Sequence, residues 1–131
     1  MTENFVSIFQ ALGDETRWRI VSLVKDEALC VCELADILVM PQSSVSSHVQ
    51  ILRKAGMFES ERCGKWTYFR IEPRTRALLG DIARHFPTTP GPRLEADAAR
   101  AAARLEVRAQ SCCRGPKALL GKSSTTDCCQ P

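Results

Sequence analysis

No apolar run in this chain of 131 residues is long enough to cross a bilayer; the stretch from Val31 to Met40 comes nearest and is broken by Cys32, Glu33 and Asp36. The N-terminus lacks the basic start of a secretion leader, so a cytoplasmic protein with no membrane partner is expected. No Cys-x-x-Cys accompanies a strand-helix-strand pattern and no glycine-rich anion loop is present. Thiol oxidoreductase chemistry therefore has no positioned nucleophile, and neither an enzyme nor a catalytic cofactor is expected. Histidine is scarce, with only His48 and His85. A site without histidines or several carboxylates gives no preference for hard cations.

Cysteine is plentiful by contrast. Residues 30, 32, 63, 112, 113, 128 and 129 make seven, an odd and clustered set that in a reducing compartment favours metal or redox chemistry over structural bridges. The length suits one domain plus an appendage, and a small helical domain is easier to stabilise by burying further apolar surface in a homodimer.

Two helical patterns meet between residues 30 and 56. Val31, Leu34 and Leu38 recur at helical spacing, Met40 and Pro41 interrupt, and Val45, Val49 and Leu52 resume the period until Gly56 can end it. This spacing predicts a helix-turn-helix. On the second helix, Ser43, Ser47, Gln50 and Lys54 lie opposite the apolar stripe, flanked by Ser44, Ser46, His48 and Arg53, with Gln42 at the start; such groups read phosphates and base edges. The net charge of +3 hides an asymmetry. Residues 1–38 carry only Arg17, Arg19 and Lys25 against seven acidic side chains, whereas residues 39–71 carry Arg53, Lys54, Arg62, Lys65 and Arg70 against Glu59 and Glu61. The basic half is the half expected to face double-stranded DNA.

Upstream, Phe5, Ile8, Phe9 and Leu12 predict a helix closed by Gly13, and Asp14 can cap a second helix through Val24, on which Arg17 and Arg19 are expected to be solvated unless one reaches DNA or an acidic neighbour. The third helix starts near Cys30, with Glu33 as the acceptor of a capping box. Thiols at a helix start are expected to have a lowered pKa, and because residues two apart point to different sides of a regular helix, joint use of Cys30 and Cys32 is expected to need an end that is irregular or becomes distorted. After Gly56 the period changes. Residues 57–63 and 66–71 around Gly64 and Lys65 predict a β-hairpin wing, in which Arg62, Lys65 and Arg70 can lie along a sugar-phosphate backbone, Phe58, Phe69 and Ile71 pack inward, and Cys63 is a spectator.

Pro73 opens a further helix with an apolar stripe of Leu78, Leu79, Ile82, Ala83 and Phe86; Asp81 and His85 on it are read as solvated. The expected organisation is a mostly α, winged helix-turn-helix domain over residues 1–86, a Pro-rich linker over 87–92, an Ala-rich helix over 93–110 with Leu94, Ala98, Ala101 and Leu105 on one weak stripe, and a flexible Cys-rich tail over 111–131.

The segment from Ser43 to Val49, continued by Leu52 to Gly56, resembles the recognition helix of the ArsR/SmtB family of metal-sensing bacterial repressors. Leu29 to Leu34 is similar to the thiol site of its arsenic and cadmium members, and Asp14 to Arg17 and Gly64 to Trp66 match two further family stretches, so the resemblance spans residues 5–86. It implies a dimeric repressor that leaves its operator when arsenite, or chemically similar Sb(III), binds Cys30 and Cys32, with the helix after Pro73 at the dimer interface. Arsenic members often carry a third cysteine one turn after this pair, where Ala35 stands here. The tail thiols Cys112 and Cys113, or else Cys128 and Cys129, are then the expected source of the third donor. A cadmium, lead or zinc sensor, or a thiol redox switch, is the alternative reading.

Overall fold

The computed structural model describes residues 5–86 and 91–110. The four tail cysteines and most of the 87–92 linker lie outside them. Six helices and three short strands follow in the order α1 (Phe5–Leu12), α2 (Glu15–Val24), β1 (Leu29–Cys30), α3 (Val31–Leu38), α4 (Gln42–Lys54), β2 (Phe58–Cys63), β3 (Trp66–Ile71), α5 (Pro73–His85) and α6 (Pro92–Gln110).

The expected local signals act where they stand. The Asp14 carboxylate accepts from the Arg17 N–H at 3.1 Å and starts α2, and Glu33 Oε1 accepts from the Cys30 N–H at 3.1 Å and starts α3. α3 stops at Val39, whose φ of 56° and ψ of 53° turn the chain left-handed while its N–H donates to the Ala35 carbonyl. Pro41, extended, then leads into α4, which ends at Gly56 with φ 81°. Val45, Val49 and Leu52 from α4 are fully buried against Ile20, Val21 and Val24 of α2 and Leu34 and Ile37 of α3. The apolar period of each segment has thus become one shared core, which holds the helix-turn-helix at a fixed angle.

The wing is a hairpin with Phe58 opposite Ile71 and Cys63 opposite Trp66, as expected, but the sheet has a third strand. The order is β1-β3-β2, all antiparallel, with Leu29 opposite Phe69 and Cys30 opposite Tyr68. Phe69 and Ile71 are buried on the core side, and Phe58 packs there beside Phe69. Cys30 is consequently both the last residue of a strand and the cap of a helix.

α5 begins at Pro73 with the Glu72 carboxylate accepting from the Thr75 N–H, and buries Leu79. Asp81 on its outer side is paired with Arg84. Phe86 at its end, together with Phe5, Val6 and Phe9 on α1, is left exposed. No helix among the described residues is long and apolar enough to cross a membrane.

α6 differs from its sequence reading in two ways. Pro92, placed in the linker, is the first residue of the helix, where its missing N–H costs no hydrogen bond. The packed face also shares only part of the stripe of Leu94, Ala98, Ala101 and Leu105. Ala98 is exposed, while Asp97 and Arg108 are buried beside Ala101 and Leu105, so charge pairing fixes the helix on α2 and α3. Arg19 is the one of the two α2 arginines that reaches an acidic neighbour: its Nε and Nη2 each lie 2.8 Å from a carboxylate oxygen of Asp97. Such a bidentate pair is stronger than a neutral hydrogen bond and can offset the desolvation of a buried carboxylate.

Candidate functional site

Cys30 Sγ and Cys32 Sγ lie 3.2 Å apart, both as free thiols. This end of the helix is irregular, one of the two conditions expected for joint use of the pair. Residues two apart diverge only if both are helical, and Cys30 is not: its φ of −96° and ψ of 169° are extended, so its side chain leaves from the strand and meets that of Cys32 in the first turn. Two sulfurs each about 2.3 Å from one ion lie about 3.2 Å apart when the angle at the ion is near 90°. The pair is thus close enough for both sulfurs to approach one soft ion.

The expected thiolate character of Cys30 is corrected. Cys30 is 2 % exposed, and burial, followed by the nearby Glu33 carboxylate, pushes its pKa up to about 12. The backbone hydrogen bonding at the helix start acts the other way but is outweighed, because the energy of moving a charge out of water exceeds what one helix terminus returns. Glu33 is itself 2 % exposed and tightly held: Arg108 Nε and Nη2 donate to Oε2 and Oε1 at 2.8 and 2.9 Å, and the same Nη2 donates to the Ala28 carbonyl at 2.6 Å. The Arg108 guanidinium lies 5.2 Å from the centre of the Tyr68 ring. Ala28, Cys30 and Tyr68 form a small core of their own, flanked by Cys32, Cys63 and Trp66, so Cys63 belongs to the surroundings of the thiol pair. Sequence reading passed over Tyr68, Asp97 and Arg108. Among the described residues no group of three or more candidate metal donors is present.

The surface expected to read DNA lies on α4 and the wing. Gln42, Ser43, Ser47, Gln50, Arg53 and Lys54 are exposed and Ser44 and Ser46 half-buried, in keeping with the buried stripe behind them. No side chain caps α4, so its first-turn amides remain available to a phosphate. Ser47 Oγ donates to the Ser43 carbonyl at 3.1 Å and keeps its lone pairs for a DNA donor. His48 differs from the others. Its Nδ1 lies 3.3 Å from Arg17 Nη1 and 3.9 Å from Asp14 Oδ2, and Arg17, expected in solvent, is in turn anchored on the Ala11 and Gln10 carbonyls. In the wing, Lys65 is exposed at the tip with its Nζ 5.3 Å from the centre of the Trp66 ring, and Arg62 donates to the Gly64 carbonyl. Strand alternation puts Arg62 and Arg70 on opposite faces, so the hairpin does not bring them to a single phosphate.

A bacterial regulatory protein family, described as the arsR family, matches residues 14–60. The arsenical resistance operon repressor of Escherichia coli K12 is 37% identical over 78 residues, which cover 59% of this chain and 67% of that one. The chain belongs to the ArsR family. Its members are transcriptional regulators, and the matched segment runs from the Asp14 cap through α4 into the start of β2, ending before Arg62, Lys65 and Arg70. A cadmium resistance regulator of Listeria innocua is 36% identical over 72 residues, or 54% of this chain and 60% of that protein. An ArsR-like transcriptional regulator from Rhodococcus sp. RHA1 shares the fold with a TM-score of 0.51 at 28% identity, covering 80% of this chain and 89% of that structure. This ArsR-family chain is therefore a winged-helix regulator, with metal- or metalloid-responsive repressors among its relatives.

Proposed function

We propose that the protein is a homodimeric repressor that binds an operator of two-fold symmetry through α4 and the wing, and is released when trivalent arsenic, or Sb(III), is captured by Cys30 and Cys32. The observation that carries the ligand reading is the 3.2 Å separation of two free sulfurs at the start of the helix-turn-helix. Burial favours arsenic over a dication: arsenous acid can exchange three hydroxyls for three thiol sulfurs, releasing three waters and leaving no net charge, whereas thiolates around cadmium leave net negative charge beside the buried Glu33. The dimer reading is supported by the exposed Phe5, Val6 and Phe9 on α1 and Phe86 on α5.

The route from ligand to DNA is short. Cys30 is paired with Tyr68 of the wing strand and precedes the helix that supports α4, so a bound ion bears on both DNA-reading elements at once. Operator binding titrated with arsenite, cadmium, zinc and peroxide in separate reducing or metal-free arms tests this: arsenite is expected to release DNA at the lowest concentration. Release by cadmium alone would replace arsenic as inducer. Release by peroxide alone would favour the redox reading, to which two sulfurs at 3.2 Å also lend themselves, since a disulfide needs them to close to about 2.05 Å.

The third donor is assigned to the tail, with Cys112 or Cys113 preferred over Cys128 or Cys129. Support comes from α6, which ends at Gln110 and has Arg108 hydrogen-bonded beside the thiol pair, so Cys112 follows an anchored residue by four positions. Truncation after Gln110 is expected to reduce sulfur coordination of arsenic from three to two, as read by X-ray absorption, and to raise the arsenite needed for release. Three-sulfur coordination with unchanged sensitivity in the truncated protein would remove the tail from the site.

A further inference from the structure

α6 carries arginines at 100, 104 and 108, four apart and hence on one face, and each engages α3 or its flanks. Arg108 holds Glu33 and the Ala28 carbonyl beside the thiols. One turn back, Arg104 Nε donates to Asp36 Oδ2 at 3.0 Å, and a further turn back Arg100 Nε donates to the Ile37 carbonyl while its Nη2 reaches Asp97 at 2.8 Å. The Ile37 carbonyl lies in the last turn of α3, where helix carbonyls have no partner within the helix, two residues before the turn into α4. α6 therefore grips α3 at both ends, the thiol end through Arg108 and the reader end through Arg100.

We propose that Arg100, Arg104 and Arg108 are positioning residues for induction: α6 acts as a splint that makes α3 respond as one body, so that a change at Cys30 and Cys32 reaches the turn before α4. The inference rests on the thiol pair being the inducer site. Glu33 joins the two systems, because the same carboxylate accepts from the Cys30 N–H and from Arg108. An ion that repositions the Cys30 backbone alters that shared acceptor, and the ladder carries the change along α3. Without the ladder, the thiol end of α3 can adapt locally while its other end stays in the DNA-bound arrangement.

The experiment uses the full chain and the double substitution Arg100→Gln with Arg104→Gln, chosen because these side chains are partly exposed, at 40% and 26%, and neither contacts a thiol. Three quantities are measured: arsenite affinity from sulfur-to-arsenic absorption, operator affinity without arsenite, and the ratio of operator dissociation constants with and without saturating arsenite. The first two are expected to stay within about threefold of the parent while the ratio falls by about tenfold or more, a loss of about 1.4 kcal/mol of coupling. Arg100→Lys with Arg104→Lys, which keeps the charges, is expected to recover part of that ratio. An unchanged ratio in the glutamine variant, with or without a lower melting temperature, makes α6 a passive brace and overturns the proposal. A parent protein that shows no arsenite response overturns the thiol reading, and the splint with it. A parent that responds alongside an unaffected variant removes the splint alone.

Discussion

Cys32→Ser is expected to bind operator as tightly as the parent and to stay bound at arsenite concentrations that release the parent completely. Neither sulfur touches the reading face of α4, and Cys32 is only half-buried, so replacing it by a hydroxyl perturbs little of the fold. The hydroxyl is a hard donor, however, and a chelate of two soft donors is reduced to one. A hundredfold weakening of operator binding by the inducer corresponds to about 2.7 kcal/mol of coupling, and losing half of the described donor set should remove nearly all of it. Cys30→Ser should behave alike in induction, with some loss of stability because Cys30 is buried. Fluorescence anisotropy of a labelled operator, with arsenite titrated into each variant, measures the effect. Release of either variant at the parental arsenite concentration would show that the inducer is held elsewhere.

The second large effect is on salt. With exposed Arg53, Lys54, Arg62 and Lys65 on the α4 and wing surface of each subunit, a dimer making about six to ten phosphate contacts should lose about 10³ to 10⁵ in operator affinity between 50 and 200 mM salt, a log-log slope of about −5 to −9. Lys65→Ala should weaken specific and non-specific DNA alike and flatten the slope by about one for each lysine lost, because a wing-tip ammonium meets phosphate and not bases. Gln50→Ala should leave the slope unchanged and lower the ratio of operator to random-sequence affinity, because an exposed amide on α4 can read a base edge. A slope shallower than about −2 would mean that this surface does not meet the DNA backbone.

The parts of the fold that were legible in the sequence are those encoded locally. The helix-turn-helix follows from an apolar period on either side of Pro41, and the wing from a change of period after Gly56. β1 was not legible: it is two residues long, and its partners Tyr68 and Phe69 lie almost forty positions away. That omission caused the misreading of the thiol's acidity, because a Cys30 placed only at a helix end looks acidic rather than buried in a strand. The docking of α6 was missed for another reason. Asp97 and Arg108 resemble solvent-facing residues on an alanine-rich helix, and apolar periodicity cannot show that a charge is buried with its partner. The regular spacing of Arg100, Arg104 and Arg108 was the available signal, since a straight row of one charge on one face suits a complementary surface such as Glu33 and Asp36.

The left-handed Val39 has an evolutionary side. A β-branched residue at positive φ is strained by about 1 to 3 kcal/mol, and this one is 75% exposed, so the strain is not repaid by burial of its own side chain. Glycine or asparagine at that position would relieve it without touching the core, the thiols or the reading face. The turn between α3 and α4 thus holds a latent stability reserve reachable by change at one codon position or a few. A lineage that drew on it could tolerate destabilising changes elsewhere, for example on α4, and so drift toward a new operator while still folding.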